Sequence, residues 1–182
     1  MQEPLVKYSG DHKRLLCYQK CEVIYDITYY FAHTFLQRGD RTIDQMVQAA
    51  RSGKQNIVEG NADLATSVEM AIKLLNVAKA SLKELLADYE DYLRVKGYRK
   101  WDKESEEVMA MRQLGLRVAD SETMMKIVRT RSDETIANMA IVLIFQADNL
   151  IYKFINSIEK SFIDEGGFRE KMTRVRLTAR KR

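Results

Sequence analysis

Four side chains near the middle of this 182-residue chain have the types and spacing to do chemistry together. Asn56 and Glu59 lie three apart in one helical stretch, and Ser81 and Glu84 lie three apart in the next. If those stretches pack side by side, an amide, a hydroxyl and two carboxylates meet. Two carboxylates in one buried site push one pKa upward, the usual origin of an acid–base pair. The same cluster also suits a plainer task, fixing helix register through satisfied buried hydrogen bonds. Unpartnered buried polar groups are costly, so some neighbour must answer the amide and the carboxylate. The register reading carries more weight, because no histidine, nucleophile or metal motif stands nearby to work with the carboxylates.

The remaining reactive residue types are sparse. The two histidines, His12 and His33, have Ser9 and Tyr30 three positions before them. Glu-x-x-His pairs, which build di-iron sites in helical bundles, are therefore missing. Neither an HExxH stretch, a Walker loop nor a Rossmann glycine pattern occurs. Cys17 and Cys21 share a helical face, a geometry unsuited to a disulfide, and read as thiols of a core or a subunit interface. No catalytic residue, metal or cofactor is expected.

The strongest charge feature is C-terminal. Residues 168–182 hold seven basic residues and one acidic residue, a net of +6 in a chain whose total is +4. The remaining residues are therefore at −2 overall. Arg169, Lys171, Arg174, Arg176, Arg180, Lys181 and Arg182 form a phosphate-attracting extension whose binding would depend strongly on salt. Phe168 is the only aromatic residue among them, which favours backbone contact over base-specific reading. The alternatives are pairing with acidic patches of a neighbouring subunit and a merely solvated terminus.

The elements that must position these groups are helices. One proline and eight glycines in 182 residues, with 46% apolar and 31% charged residues, point to long uninterrupted helices in a soluble globular chain. A first helix is expected from Asp11 to Arg38. It has a core stripe of Leu16, Ile24, Ile27, Phe31 and Phe35 and a second stripe of Tyr18, Tyr25, Tyr29 and Leu36, which favours self-association. The second is expected to open on a Thr42–Gln45 capping box and stop at Gly60. The third should open on a Thr66–Glu69 box and end at Gly97. Ala49, Ala50, Ser52 and Gly53 bring small residues together for close approach of a neighbour. Two shorter helices, from Ser105 to Val118 and from Ser121 to Thr130, precede a last long helix from Ser132 to Asp164. Long helices joined by short loops pack antiparallel. The expected fold is all-α: an up-down-up-down four-helix bundle over 1–165, with a helical insertion at 98–132 between helices 3 and 4. A basic C-terminal extension occupies 166–182. No run of about 18 apolar residues suggests a membrane span. The polar residues 1–14 lack a signal-peptide core, so the cytoplasm is the expected compartment.

At Ala49-Ala50-Arg51-Ser52 and Asn56-Ile57-Val58-Glu59-Gly60 the sequence resembles the four-helix bundle proteins encoded by intervening sequences in 23S ribosomal RNA genes. The run from Ala78 to Leu85, a small residue followed by Ser-Leu-x-Glu-Leu, is similar to that family's second block. The resemblance covers about residues 11–96 and, more loosely, 133–160. The longer 98–130 connection and the arginine-rich end after Gly166-Gly167 depart from the plain family and look like its "suffix" variant. The resemblance implies a homopentameric ring without enzymatic activity. The accessory proteins of diversity-generating retroelements, which are similar bundles, bind nucleic acid and a reverse transcriptase. The expected function is thus a non-enzymatic oligomeric bundle that binds RNA or DNA weakly and without sequence preference. The alternative is a pure protein–protein assembly module.

Overall fold

The computed structural model describes residues 10–118 and 120–166, together with residues 170, 172, 173, 176 and 177. Among these residues every regular element is helical. A single 3-10 turn, His12–Arg14, leads into α1 (Leu16–Phe35), α2 (Arg41–Asp63), α3 (Val68–Lys96), α4 (Glu106–Arg117), α5 (Ser121–Val128) and α6 (Asp133–Glu165).

Side-chain caps decide where each helix begins. Asp11 does not open α1; its carboxylate accepts the Lys13 N–H at 3.0 Å and caps the short turn, so α1 starts five residues later. α2 is capped by Asp40, which accepts the Thr42 N–H at 2.9 Å, two residues ahead of the expected box. Ser67 rather than Thr66 caps α3, accepting the Met70 N–H at 3.2 Å. Ser105, Asp120 and Ser132 cap α4, α5 and α6 in the same way. At the other end of α3, Gly97 adopts φ +71, which lets the Tyr98 N–H reach back to the Leu93 carbonyl at 2.9 Å. Gly60 does not end α2, which runs on to Asp63.

The four long helices close a ring of contacts: α1 packs on α2 and α6, and α3 packs on α2 and α6. Across the α2–α3 and α3–α6 seams the pairings run in opposite order along the two helices. Gly53 faces Leu82 and Ala78, while Gly60 faces Leu75 and Ala71. Lys79 pairs with Asp148 at 3.6 Å, and the Tyr92 hydroxyl donates to Asp133 at 2.7 Å. Inside the ring, the Phe31 ring lies 5.1 Å from Tyr89 and 4.8 Å from Tyr92, centroid to centroid. Ile24, Ile27, Leu75, Leu82, Leu85 and Ile136 belong to the same core and are fully buried.

The expected surface stripes divide. Tyr18 is buried in the chain's own core, Tyr25 and Leu36 are half-buried, and Tyr29 is 50% exposed. Leu16, expected inside, is exposed because α1 begins there. α4 lies on α6 and α5 on α1, and Val108, Met111, Met124, Met125 and Val128 join the main core. The insertion is thus a wall of the core. By length and composition, residues Asp133–Asp164 of α6 would suffice to cross a membrane, yet 61% of that apolar window is buried against the other helices.

Candidate functional site

The polar cluster between α2 and α3 exists with a different membership. The Ser52 and Ser81 hydroxyl oxygens lie 2.9 Å apart. The Asn56 amide donates to the Ser52 carbonyl at 2.9 Å and to its hydroxyl oxygen at 3.1 Å. Ser81 donates to the Val77 carbonyl at 3.1 Å. One consistent chain of donation therefore runs Asn56 to Ser52 to Ser81 to Val77, and each hydroxyl gives one proton and accepts one. Beside it, Gly53 lets the helices close up: a Cβ there would stand 3.0 Å from the Leu82 Cδ2.

Glu59 and Glu84 do not join. Both are exposed. Each follows a buried residue, Ile57 or Leu82, by two positions, which is about 200° around the helix and so on the far side. The expected pairing of two carboxylates is therefore replaced by a hydroxyl pair, and the acid–base chemistry it would have supported is lost. Glu84 instead lies near Asp88, whose pKa is raised by burial and then by neighbouring Asp91 and Glu84. Ser52 was the member missing from the sequence reading. Its position one turn before Asn56, among small residues, was the available signal.

The reactive residue types are equally quiet. Cys17 and Cys21 are both free thiols in the core; burial pushes Cys17 up to about 11 and Cys21 further in the same direction. Thiols held protonated are poor nucleophiles. His12 sets its ring edge-on to Tyr18 at 4.8 Å. His33 is exposed and stacks on Tyr29, with ring centroids 4.2 Å apart. Among the described residues no group of three or more His, Cys, Asp or Glu side chains could hold a metal ion.

No protein-family model, curated protein or solved structure matches the chain.

One buried group escaped sequence reasoning altogether. Lys20 is only 7% exposed and donates from its ammonium to the Gly115 carbonyl. Gly115 is in the last turn of α4, so a cation meets the negative end of that helix. Burial lowers the Lys20 pKa, and the neighbouring Cys21 opposes that shift only in part. Beside it, the Gln146 amide donates to the Arg112 carbonyl at 2.9 Å, while its Oε1 is buried without a partner. Gly115 is required here, since a Cβ would meet Gln146 and Leu143. Lys20 looked like an ordinary helical lysine because its partner lies 95 residues away in sequence.

Of the candidate phosphate-binding residues, Arg176 is exposed on helical backbone. Arg169, Lys171, Arg174, Arg180, Lys181 and Arg182 lie outside the described residues. Ahead of them, α6 outruns the core: beyond the buried Ile158, residues 159–164 are all exposed.

Proposed function

We propose that the chain is a non-enzymatic helical scaffold that self-associates and holds RNA or DNA through its basic C-terminal extension. The observation that carries this reading is the segregation of charge, +6 over residues 168–182 against −2 for the rest. The closed ring of contacts and the opposed residue order at its seams favour an up-down-up-down four-helix bundle. That architecture agrees with the family whose motifs residues 49–60 and 78–85 resemble, and with a pentameric, cytoplasmic protein. The clustered hydroxyls satisfy one another and the thiols are held protonated, which supports a scaffold over a catalyst.

The test compares the full chain with a truncation after Gly167 by fluorescence anisotropy on structured RNA. Binding should weaken markedly on truncation and fall steeply with salt for the full chain. Equal binding by both forms overturns the extension as the contact surface. A second reading, an assembly module alone, is favoured by Phe145 and Tyr152, which are two turns apart on α6 and both more than half exposed. Light scattering on the same samples decides self-association: a clean monomer at micromolar concentration removes it from either reading.

A further inference from the structure

We propose that the outer flank of α1 is a stacking platform for single-stranded RNA or DNA, separate from the basic extension and not dependent on it. Tyr25, Tyr29 and His33 recur every four residues, so their rings stand one above another along one side of the helix. Ring centroids are 6.3 Å apart between Tyr25 and Tyr29, and 4.2 Å between Tyr29 and His33, with that second pair inclined by only 30°. The His33 ring is held in place by its Nδ1, which lies 2.7 Å from the Tyr29 carbonyl. The two rings cover one face of each other, and their remaining surface is open to solvent, since Tyr29 and His33 are both exposed.

Positive charge accompanies the rings. The Lys54 ammonium, reaching over from α2, sits 4.5 Å from the Tyr25 ring centroid. Asn61 of α2 donates to the Gly10 carbonyl ahead of α1 while Lys54 meets Tyr25, so lower numbers on α2 lie toward higher numbers on α1. Arg51, three residues before Lys54 and exposed, is displaced toward Tyr29. The α1 carboxylates nearest the rings stay charged but are oriented by hydroxyl donors: Glu22 accepts the Tyr18 hydroxyl at 3.1 Å, and Asp26 accepts the Ser121 hydroxyl of α5. Preformed aromatic rings flanked by cations match the needs of a strand whose bases stack while its phosphates are neutralised. A duplex hides its base faces and gains nothing from such rings. The platform therefore adds a preference for single strands that the extension, a pure phosphate attractor, cannot supply.

Anisotropy with a labelled oligouridylate and with an RNA duplex of equal length tests this on the full chain. The double variant Tyr29→Ala/His33→Ala should lose about tenfold or more in single-strand affinity with duplex affinity unchanged. The aromatic double variant Tyr29→Phe/His33→Phe should keep the wild-type preference. Both positions are exposed, and circular dichroism checks that the variants fold. Repeating the comparison in the truncation after Gly167 separates the two surfaces. A persisting difference between wild type and the alanine pair there supports the platform, even if the extension proves irrelevant. Unchanged single-strand binding by the alanine pair, or no single-strand binding by either length of chain, overturns it. Loss of self-association by the alanine pair with binding intact assigns the flank to a second copy of the chain and likewise overturns it.

Discussion

At the residue scale, specificity in the core rests on a few polar atoms whose partners are all inside. The Tyr89 hydroxyl donates to the Thr28 hydroxyl oxygen at 3.0 Å, and Thr28 passes its own proton to the Ile24 carbonyl at 2.7 Å. Both side chains are fully buried. The two ends of this relay differ in what their loss leaves behind. Tyr89→Phe removes a donor and leaves Thr28 still bonded to Ile24, so it should cost about 0.5–1.5 kcal/mol. Thr28→Val preserves shape but strands the tyrosine hydroxyl in the core, at about 1–3 kcal/mol. Urea denaturation of both variants checks the order; an equal or reversed cost would show that the tyrosine finds another acceptor. This relay was not legible in the sequence, because Tyr89 and Thr28 are 61 residues apart and each reads as ordinary helix. Ser81 and Asn56 were legible as polar positions on packed faces. Their true link, Ser52, was hidden because a serine among alanines reads as spacing.

At the element scale, helix existence was readable from apolar period and caps, while helix ends were not. Asp40 and Thr42 both qualify as caps, as do Thr66 and Ser67, and the choice falls to the path by which the chain enters the helix. Gly60 shows the sharper ambiguity: a glycine near a helix end reads as a stop, yet here it is a contact point. A Cβ at Gly60 would stand 3.1 Å from the Ala71 carbonyl oxygen and 3.3 Å from the Leu75 Cγ. Backbone cannot yield as a side-chain tip can, so Gly60→Ala must separate α2 from α3. Overpacking of that kind costs about 1–3 kcal/mol, more than the roughly 0.5–1 kcal/mol that alanine gains over glycine in a helix. At Gly53 the obstacle is the Leu82 side chain, which can shift, so Gly53→Ala should be close to neutral. Thermal unfolding should place Gly60→Ala clearly below both wild type and Gly53→Ala. A Gly60→Ala protein more stable than wild type would mean that the α2–α3 seam is looser than its geometry.

At the scale of the whole molecule, residues 98–132 pose the sharpest question. They read from sequence as an insertion added to a finished bundle, and the chain path allows that reading. Tyr92 near the end of α3 touches Asp133 at the start of α6, so a short loop could join the two helices directly. The packing argues otherwise. α5 covers α1 and α4 covers α6, and together they bury Val108, Met111, Met124, Met125 and Val128 in the common core. Lys20 from α1 and Gln146 from α6 both spend hydrogen bonds on α4 carbonyls. Removing the segment uncovers apolar faces of α1 and α6 and leaves a lysine and an amide of those helices without their acceptors. Side chains of this kind contribute about 1.5–3 kcal/mol each when fully buried, so losing five of them rivals the whole stability of a typical domain at about 5–15 kcal/mol. A chain with residues 98–132 replaced by a short glycine–serine loop should therefore lose its cooperative thermal transition, bind a hydrophobic dye and aggregate. Circular dichroism melts with dye binding measure this directly. A deletion that melts cooperatively at the wild-type temperature would return the segment to the status of an appendage.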